Sequence, residues 1–283
     1  MFFSVPRRVF ITSTFAALVT QAVATSAPDA AAYALRGEWR QGALLIGKTE
    51  PRASVVFEGR NLRVSPEGWF VFGLDRDEKS DVMLSVQLPG QTAVVEHHTV
   101  VARDWEIQRI EGLPPSKVNP PAAAMKRIAA EAGTIKAAEA RDSEHSDFAG
   151  TFVWPVKGRL SGTFGSQRIL NGTPKQPHYG IDVAVPTGTP VAAPAGGVVS
   201  LARPDLYFTG GTLIIDHGHG VSSILVHLSK LLVREGMTVK QGQVIAESGM
   251  TGRATGPHLH WGVYWFGAHV DPQTVLALSA PSP

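Results

Sequence analysis

Four prolines within eight residues, Pro114, Pro115, Pro120 and Pro121, divide this 283-residue chain. Each fixes its own φ and lacks an amide donor, so the stretch excludes a helix and predicts a stiff, extended connector. The length leaves room for a folded unit on either side.

Residues 34–111 read as strands throughout. The apolar runs Ala43–Ile46, Ser54–Phe57, Trp69–Phe72, Val82–Leu88, Val94–Val101 and Trp105–Ile110 are separated by the breakers Glu58-Gly59, Pro66-Glu67-Gly68 and Pro89-Gly90. Six or seven strands in under 80 residues predict a small β-sandwich of immunoglobulin-like size. Its His97-His98 pair points to opposite faces of a strand and reads as ordinary surface and edge residues. Residues 112–147 form a proline-rich and helical linker. Within it, Ala122 to Glu144 is rich in Ala, Glu, Lys and Arg, a strong helix-propensity stretch. Met125, Ile128, Ala132 and Ile135 fall near one face, so the helix is expected to dock on a neighbour, and His145 beyond it is expected in solvent.

Residues 148–278 hold seven of the ten histidines and again read as β, with strands at Val191–Leu201, Thr212–Asp216, Ser222–Leu228, Gln243–Ser248 and Leu259–Trp265. The run Leu213-Ile214-Ile215 does not alternate, which predicts a strand buried on both faces.

The chain contains no cysteine, which excludes a disulfide framework, a thiol nucleophile and thiolate metal centres. Any metal site must use His, Asp or Glu. Residues 1–24 read as an export signal: Arg7-Arg8, an uncharged stretch from Val9, and the small residues Ala22-Val23-Ala24. The apolar run is too diluted by Thr12, Ser13, Thr14, Thr20 and Gln21 for a stable membrane span. Arg7 and Arg8 account for the whole formal charge of +2, so the processed chain is formally neutral. Nothing in its net charge supports a nucleic acid or an anionic membrane as partner.

Three segments carry chemistry. In His178-Tyr179-Gly180-Ile181-Asp182, ends four residues apart on a straight strand would lie about 13 Å apart. Joint ligation therefore requires a bend or a folded-back loop, and Gly180 makes a bend cheap. In Pro257-His258-Leu259-His260-Trp261 a strand is suitable, because residues two apart share a face about 7 Å apart. One histidine can then bind a metal while the other reaches a substrate, and Trp261 faces the core. His227 ends an apolar strand and needs a polar partner. Each histidine alone is more ordinary as a core residue bonded to a carbonyl. Their combination in about 130 residues is not.

His178-x-x-x-Asp182, Asp216-His217-Gly218-His219-Gly220, His227-Leu228 and Gly256-Pro257-His258-Leu259-His260-Trp261 resemble, in the same order, the M23 (LytM/lysostaphin-like) zinc metallopeptidases. The resemblance covers roughly residues 150–275, with Ala193–Val199 and Val239–Gln243. It implies an antiparallel β-sheet peptidase domain of LytM type and a Zn2+ site with His178, Asp182 and His260 as ligands. It also implies that His227 and His258 act on water and substrate, one as general base, without deciding which. Arg168, Asn171 and His217 are possible cleft residues, whereas His219 is expected to be exposed. Leu225-Val226 departs from the tyrosine-alanine usual before the catalytic histidine, which touches packing and the cleft wall rather than the metal.

The implied function is hydrolysis of peptide cross-links in bacterial peptidoglycan by an exported protein of the periplasm or cell envelope. The rival is a non-catalytic wall-binding regulator or activator of another wall hydrolase, with an unidentified protein partner. A carrier-protein hairpin at Val233–Gly252 is excluded, since its tip, Ser248-Gly249-Met250-Thr251, has no lysine.

Overall fold

The computed structural model describes Met1, residues 32–112 and residues 115–278. The expected export signal beyond Met1, and Pro114, fall outside the described residues. The first part holds β1 (Tyr33–Arg36), β2 (Leu44–Thr49), β3 (Ser54–Phe57), β4 (Arg60–Leu62), β5 (Trp69–Gly73), β6 (Asp81–Gln87) and β7 (Val94–Thr99). They form two sheets, of order β1-β2-β5 and β4-β3-β6-β7. Phe57 of one stacks on Phe72 of the other at 4.4 Å, which joins the inner faces of the two sheets in a sandwich core. His97 is exposed on the edge strand β7, while His98 stacks on Trp39 at 3.9 Å.

The next strand, β8 (Ile107–Ile110), leaves this sandwich. After α1 (Pro115–Val118), α2 (Ala122–Glu139) and β9 (Arg159–Gly162) along the chain, it is paired in parallel by β10 (Gln167–Leu170), which with β11 (Thr173–Pro174) completes a three-stranded sheet of order β11-β10-β8. The proline joint contains a helical turn where none was expected. Pro115 occupies the first helical position, where no amide donor is needed, and its carbonyl accepts from Asn119 N at 2.8 Å.

Helix α2 docks through part of the expected face, with Ile128 half-buried and Ile135 in contact, and the face is rotated at its other two positions. Ile135 and Ala138 pack on Leu201, Ile214, Ile224, Val226 and Tyr264, whereas Met125 and Ala132 are exposed. Arg127 to Asp205 (3.1 Å) and Glu131 to Tyr207 N (2.8 Å) fix the helix at its other end. It stops at Glu139, so residues 140–144 run on as irregular chain.

The remaining strands are β12 (Ile181–Ala184), β13 (Pro190–Ala192), β14 (Gly197–Leu206), β15 (Gly210–Gly218), β16 (Val221–Leu228), β17 (Lys230–Leu231), β18 (Thr238–Val239), β19 (Val244–Glu247), β20 (His258–Trp265) and β21 (Ala268–Val270). The main antiparallel sheet has the order β18-β14-β15-β16-β20-β12-β9, with β21 on β20. A small sheet β13-β19-β17 accompanies it, and α3 (Pro272–Ala277) follows. β15 is buried along its whole length, as its lack of alternation requires. The fold is mainly β.

The sandwich and the main sheet share one apolar core. Gly73 lies against Trp265 and Val270, where a Cβ would come within 2.9 Å of both. Asp271 caps α3 through Gln273 N (2.9 Å) and pairs with Arg103 (2.9 Å), so one buried carboxylate serves two roles. Among the described residues no helix is long and apolar enough to cross a membrane.

Candidate metal centre and cleft

The ligand-type residues converge as their motifs demand. Asp182 on β12 stands opposite His260 on β20 in register, and His178 reaches them from the loop before β12 through a bend at Gly180. His178 Nε2, Asp182 Oδ1 and His260 Nδ1 form a triangle with edges of 3.0, 2.9 and 2.8 Å. Tetrahedral zinc with bonds of roughly 2.0–2.1 Å would set such edges near about 3.3 Å.

Gly180 matters for clearance rather than for backbone freedom, since its φ is not in the left-handed region. A Cβ there would lie 2.6 Å from His260 Nε2 and 2.5 Å from Trp261 O. Gly162 on β9 gives the same clearance to Asp182, whose Oδ2 would stand 2.5 Å from a Cβ.

The donor chemistry fits a cation. His178 is 1% exposed, and its Nδ1–H donates to Thr163 O at 3.0 Å, which turns Nε2 inward as a lone pair. Burial pulls its pKa down to about 4, against the pull of Asp182, so the ring is neutral near pH 7. Burial alone would raise Asp182. The imidazoles of His178 and His260 at its Oδ1 instead carry it well below the usual carboxylate range. Arg168 Nη2 donates to Asp182 Oδ2 at 2.9 Å, leaving Oδ1 directed at the two histidines. Electron-rich atoms this close repel one another unless a positive charge sits among them.

Two further histidines border this triangle. His258 donates Nδ1–H to Gly256 O (2.8 Å), and its Nε2 lies 3.8 Å from Asp182 Oδ1. On a straight strand His227 would face away from Val226, which packs under α2. It adopts φ 63° instead, within the irregular end of the β15–β16 pairing, and its ring comes to 4.7 Å from that of His258. Non-glycine residues enter this left-handed region at a cost of roughly 1–2 kcal/mol. Here His227 N donates to Thr209 O and Nδ1–H to Thr251 O, each at 2.8 Å. The polar partner expected for this strand-end histidine is thus the Thr251 carbonyl. Burial, with His258 and His260 nearby, pushes the His227 pKa down to about 3. With each Nδ1–H given to a backbone carbonyl, both rings turn Nε2 away from that carbonyl.

These groups open on a cavity of about 290 Å³ lined by Asp182, His227, His258 and Arg168, together with residues that motif reading passes over. Arg159 enters from β9 and Arg253 from the loop before β20. Gln108 comes from β8, and its Oε1 accepts from Arg168 Nε at 3.3 Å. Arg253, in the turn-rich run just before His258, carried a readable signal. Gln108 carried none, because its place depends on a strand pairing between residues 60 apart. No residue of α2 lines this cavity.

Asn171 and His217 are not among the residues lining the cavity. Asn171 sits at the β10–β11 turn with φ 45°. His217 is fully buried behind the sheet, between Gly196 O (2.6 Å) and Ser223 Oγ (2.9 Å). Ser223 also accepts from Trp261 Nε1 at 3.2 Å, so His217 braces the strand that carries His260 from its far side. His219 is buried rather than exposed, with Phe148 packed on its ring at 4.7 Å. His145 is half-buried rather than solvated. The linker crosses the β15–β16 turn there, pairing His145 with Asp147 at 2.9 Å and Ser143 with Asp216.

The arrangement has relatives. The model of peptidase family M23 matches residues 176–272, the span holding the four histidines His178, His227, His258 and His260 and the aspartate Asp182. The chain is 44% identical over 111 residues to the peptidoglycan DD-endopeptidase ShyA of Vibrio cholerae, a match covering 38% of this chain and 26% of that protein. It is 42% identical over 127 residues to the lipoprotein NlpD/LppB homolog of Pseudomonas aeruginosa, covering 45% of this chain and 40% of that one. The matched part is thus between a quarter and two fifths of the length of these curated relatives. A crystal structure of a putative peptidase M23 from Pseudomonas aeruginosa matches with a TM-score of 0.66 and 31% identity, over 85% of this chain and 96% of that one. A likeness that takes in almost the whole of that molecule places this chain in peptidase family M23.

Proposed function

We propose that this protein is a zinc-dependent endopeptidase that hydrolyses peptide cross-links of bacterial peptidoglycan. The observation that carries this reading is the juxtaposition of the His178–Asp182–His260 triangle with two acceptor histidines at an open cavity. Three protein donors leave a fourth position for water, the pattern of a catalytic zinc site. A zinc ion held there would polarise the scissile carbonyl and make bound water acidic near neutral pH.

The chain's own side chains do the rest. His258 lies nearer the ligand oxygens and is the general base, taking the water proton on Nε2 while Gly256 O holds its other nitrogen. His227 is deeper and accepts a second hydrogen bond through Nε2, which orients the nucleophile. Arg168 holds Asp182 in its ligating orientation from behind. Residues 148–278 carry the catalysis. The sandwich braces it, and β8 at the end of the 34–111 segment supplies one cleft wall through Gln108 and Ile110. The relatives' names agree with a wall hydrolase exported to the periplasm or cell envelope.

Similarity to the NlpD/LppB homolog keeps a second reading in view, that of a non-catalytic wall-binding regulator. Incubation of the zinc-loaded protein and of His258→Ala with cross-linked sacculi separates the two. The enzyme reading expects dimeric muropeptides to fall to monomers with the former and to persist with the latter, at equal metal content. Intact dimers with both proteins, with sacculus binding retained, would favour the regulator.

A further inference from the structure

One loop holds both cleft histidines. Residues 248–257, between β19 and β20, present the Thr251 carbonyl to His227 Nδ1–H and the Gly256 carbonyl to His258 Nδ1–H, each at 2.8 Å. The place of this loop therefore sets the rotation of both rings. His258 follows directly on the loop, whereas His227 comes from β16 and needs the loop brought to it.

A hydroxyl brings it there. Thr251 Oγ1 donates to Leu228 O and accepts from Gly211 N, both at 2.9 Å. Leu228 on β16 and Gly211 on β15 stand opposite each other in register, so the hydroxyl bridges the two strands one residue beyond His227. Gly210 permits the approach, since a Cβ there would lie 2.2 Å from Thr251 Oγ1. Arg253 N completes the docking by donating to Phe208 O at 2.7 Å.

His227 has most to lose if this tie slackens. Its left-handed φ of 63° persists only where the surroundings over-determine it. Thr209 O, next to the Gly210-Gly211 segment, holds its amide, and Thr251 O holds its ring. Without the hydroxyl, Gly211 N and Leu228 O lose their shared partner, and loop and strand are free to part.

We propose that Thr251 is a positioning residue: its hydroxyl pins the loop to β15 and β16, and its carbonyl thereby fixes the His227 ring at the cavity wall. The kinetic consequence rests on the endopeptidase reading, in which His227 orients the nucleophile.

Thr251→Ala and Thr251→Ser differ by that one oxygen, and both are smaller than threonine, so neither crowds the site. On a soluble cross-linked peptide dimer, the zinc-loaded full chain carrying Thr251→Ala should lose roughly 10- to 100-fold in kcat, the scale of a displaced reacting group, with KM and zinc content unchanged. Thr251→Ser should recover most of that loss. Parent-like kcat in Thr251→Ala, an equal loss in Thr251→Ser, or a loss accounted for by KM or zinc content would overturn the proposal. A second readout needs no turnover. In protein carrying isotope-labelled histidine, the His227 Nδ1–H resonance, identified by its absence from His227→Ala, should persist in the parent and Thr251→Ser and vanish by exchange in Thr251→Ala. If the parent cleaves no dimer while this pattern holds, the endopeptidase reading falls and the positioning role stands. The same resonance in all three proteins, or in none, overturns the positioning role.

Discussion

Acid should destabilise this protein through His217, a histidine outside the cleft. The ring is fully buried, and both nitrogens are engaged as a neutral imidazole would have them. Nδ1–H donates to Gly196 O, and Nε2 accepts from Ser223 Oγ, which in turn accepts from Trp261 Nε1. Burial depresses its pKa from the ordinary 6.5 to about 4. The folded state therefore favours the neutral ring, and the unfolded chain takes up its proton first. The contribution is fully present above pH 6.5 and is lost as pH falls toward 4. Two to three pH units at about 1.4 kcal/mol each make the loss roughly 3 kcal/mol.

Equilibrium urea unfolding, followed by tryptophan fluorescence at several pH values from 7.5 downward, measures it. His217→Gln removes the titrating group while keeping an amide donor and acceptor. We expect the variant to be less stable at pH 7.5, with a gap that closes or reverses by about 2–3 kcal/mol at pH 4.5. The other buried histidines titrate in both proteins and cancel in the difference. Parallel stability profiles for the two proteins would refute the reasoning.

Gly180→Ala should fold yet bind zinc and turn over at least about 10-fold less well, since the new Cβ would press on His260 Nε2; metal content and dimer hydrolysis measure it. Asp271→Ala removes the cap of α3 and strips Arg103 of its partner, and should cost about 2–4 kcal/mol in chemical denaturation. Gly133→Ala, in α2 with open space around it, should stabilise the protein by roughly 0.5–1 kcal/mol in the same assay.

The ligand triangle was legible because short motifs encode it: two-residue spacing on β20 places His258 and His260 on one face, and the bend before β12 swings His178 back. The burial of Trp261 and of β15 followed from the same periodicities. Features that depend on distant pairing were not legible. The left-handed turn at His227 follows from mismatched strand pairing, where no glycine marks it. The linker lying across the β15–β16 turn buries His219 and half-buries His145, and nothing local to either residue encodes that contact. Helix α2 keeps Ile135 of the expected face but buries Ala138 rather than Met125 and Ala132, in the rotation at which Arg127 pairs with Asp205 and Glu131 accepts from Tyr207 N. Of the three cleft arginines Arg168 was legible from its place before the first motif, whereas Arg159 arrives on β9 through pairing with β12.

A metal titration tests the zinc-dependent endopeptidase most directly. Chelator-stripped protein is titrated with zinc while the loss of dimeric muropeptides from purified sacculi is followed. We expect no hydrolysis without metal and a rise that saturates near about one zinc per chain, with Asp182→Ala flat throughout. Hydrolysis by the stripped protein, or stoichiometric zinc binding at His178, Asp182 and His260 with no loss of dimers, would contradict it.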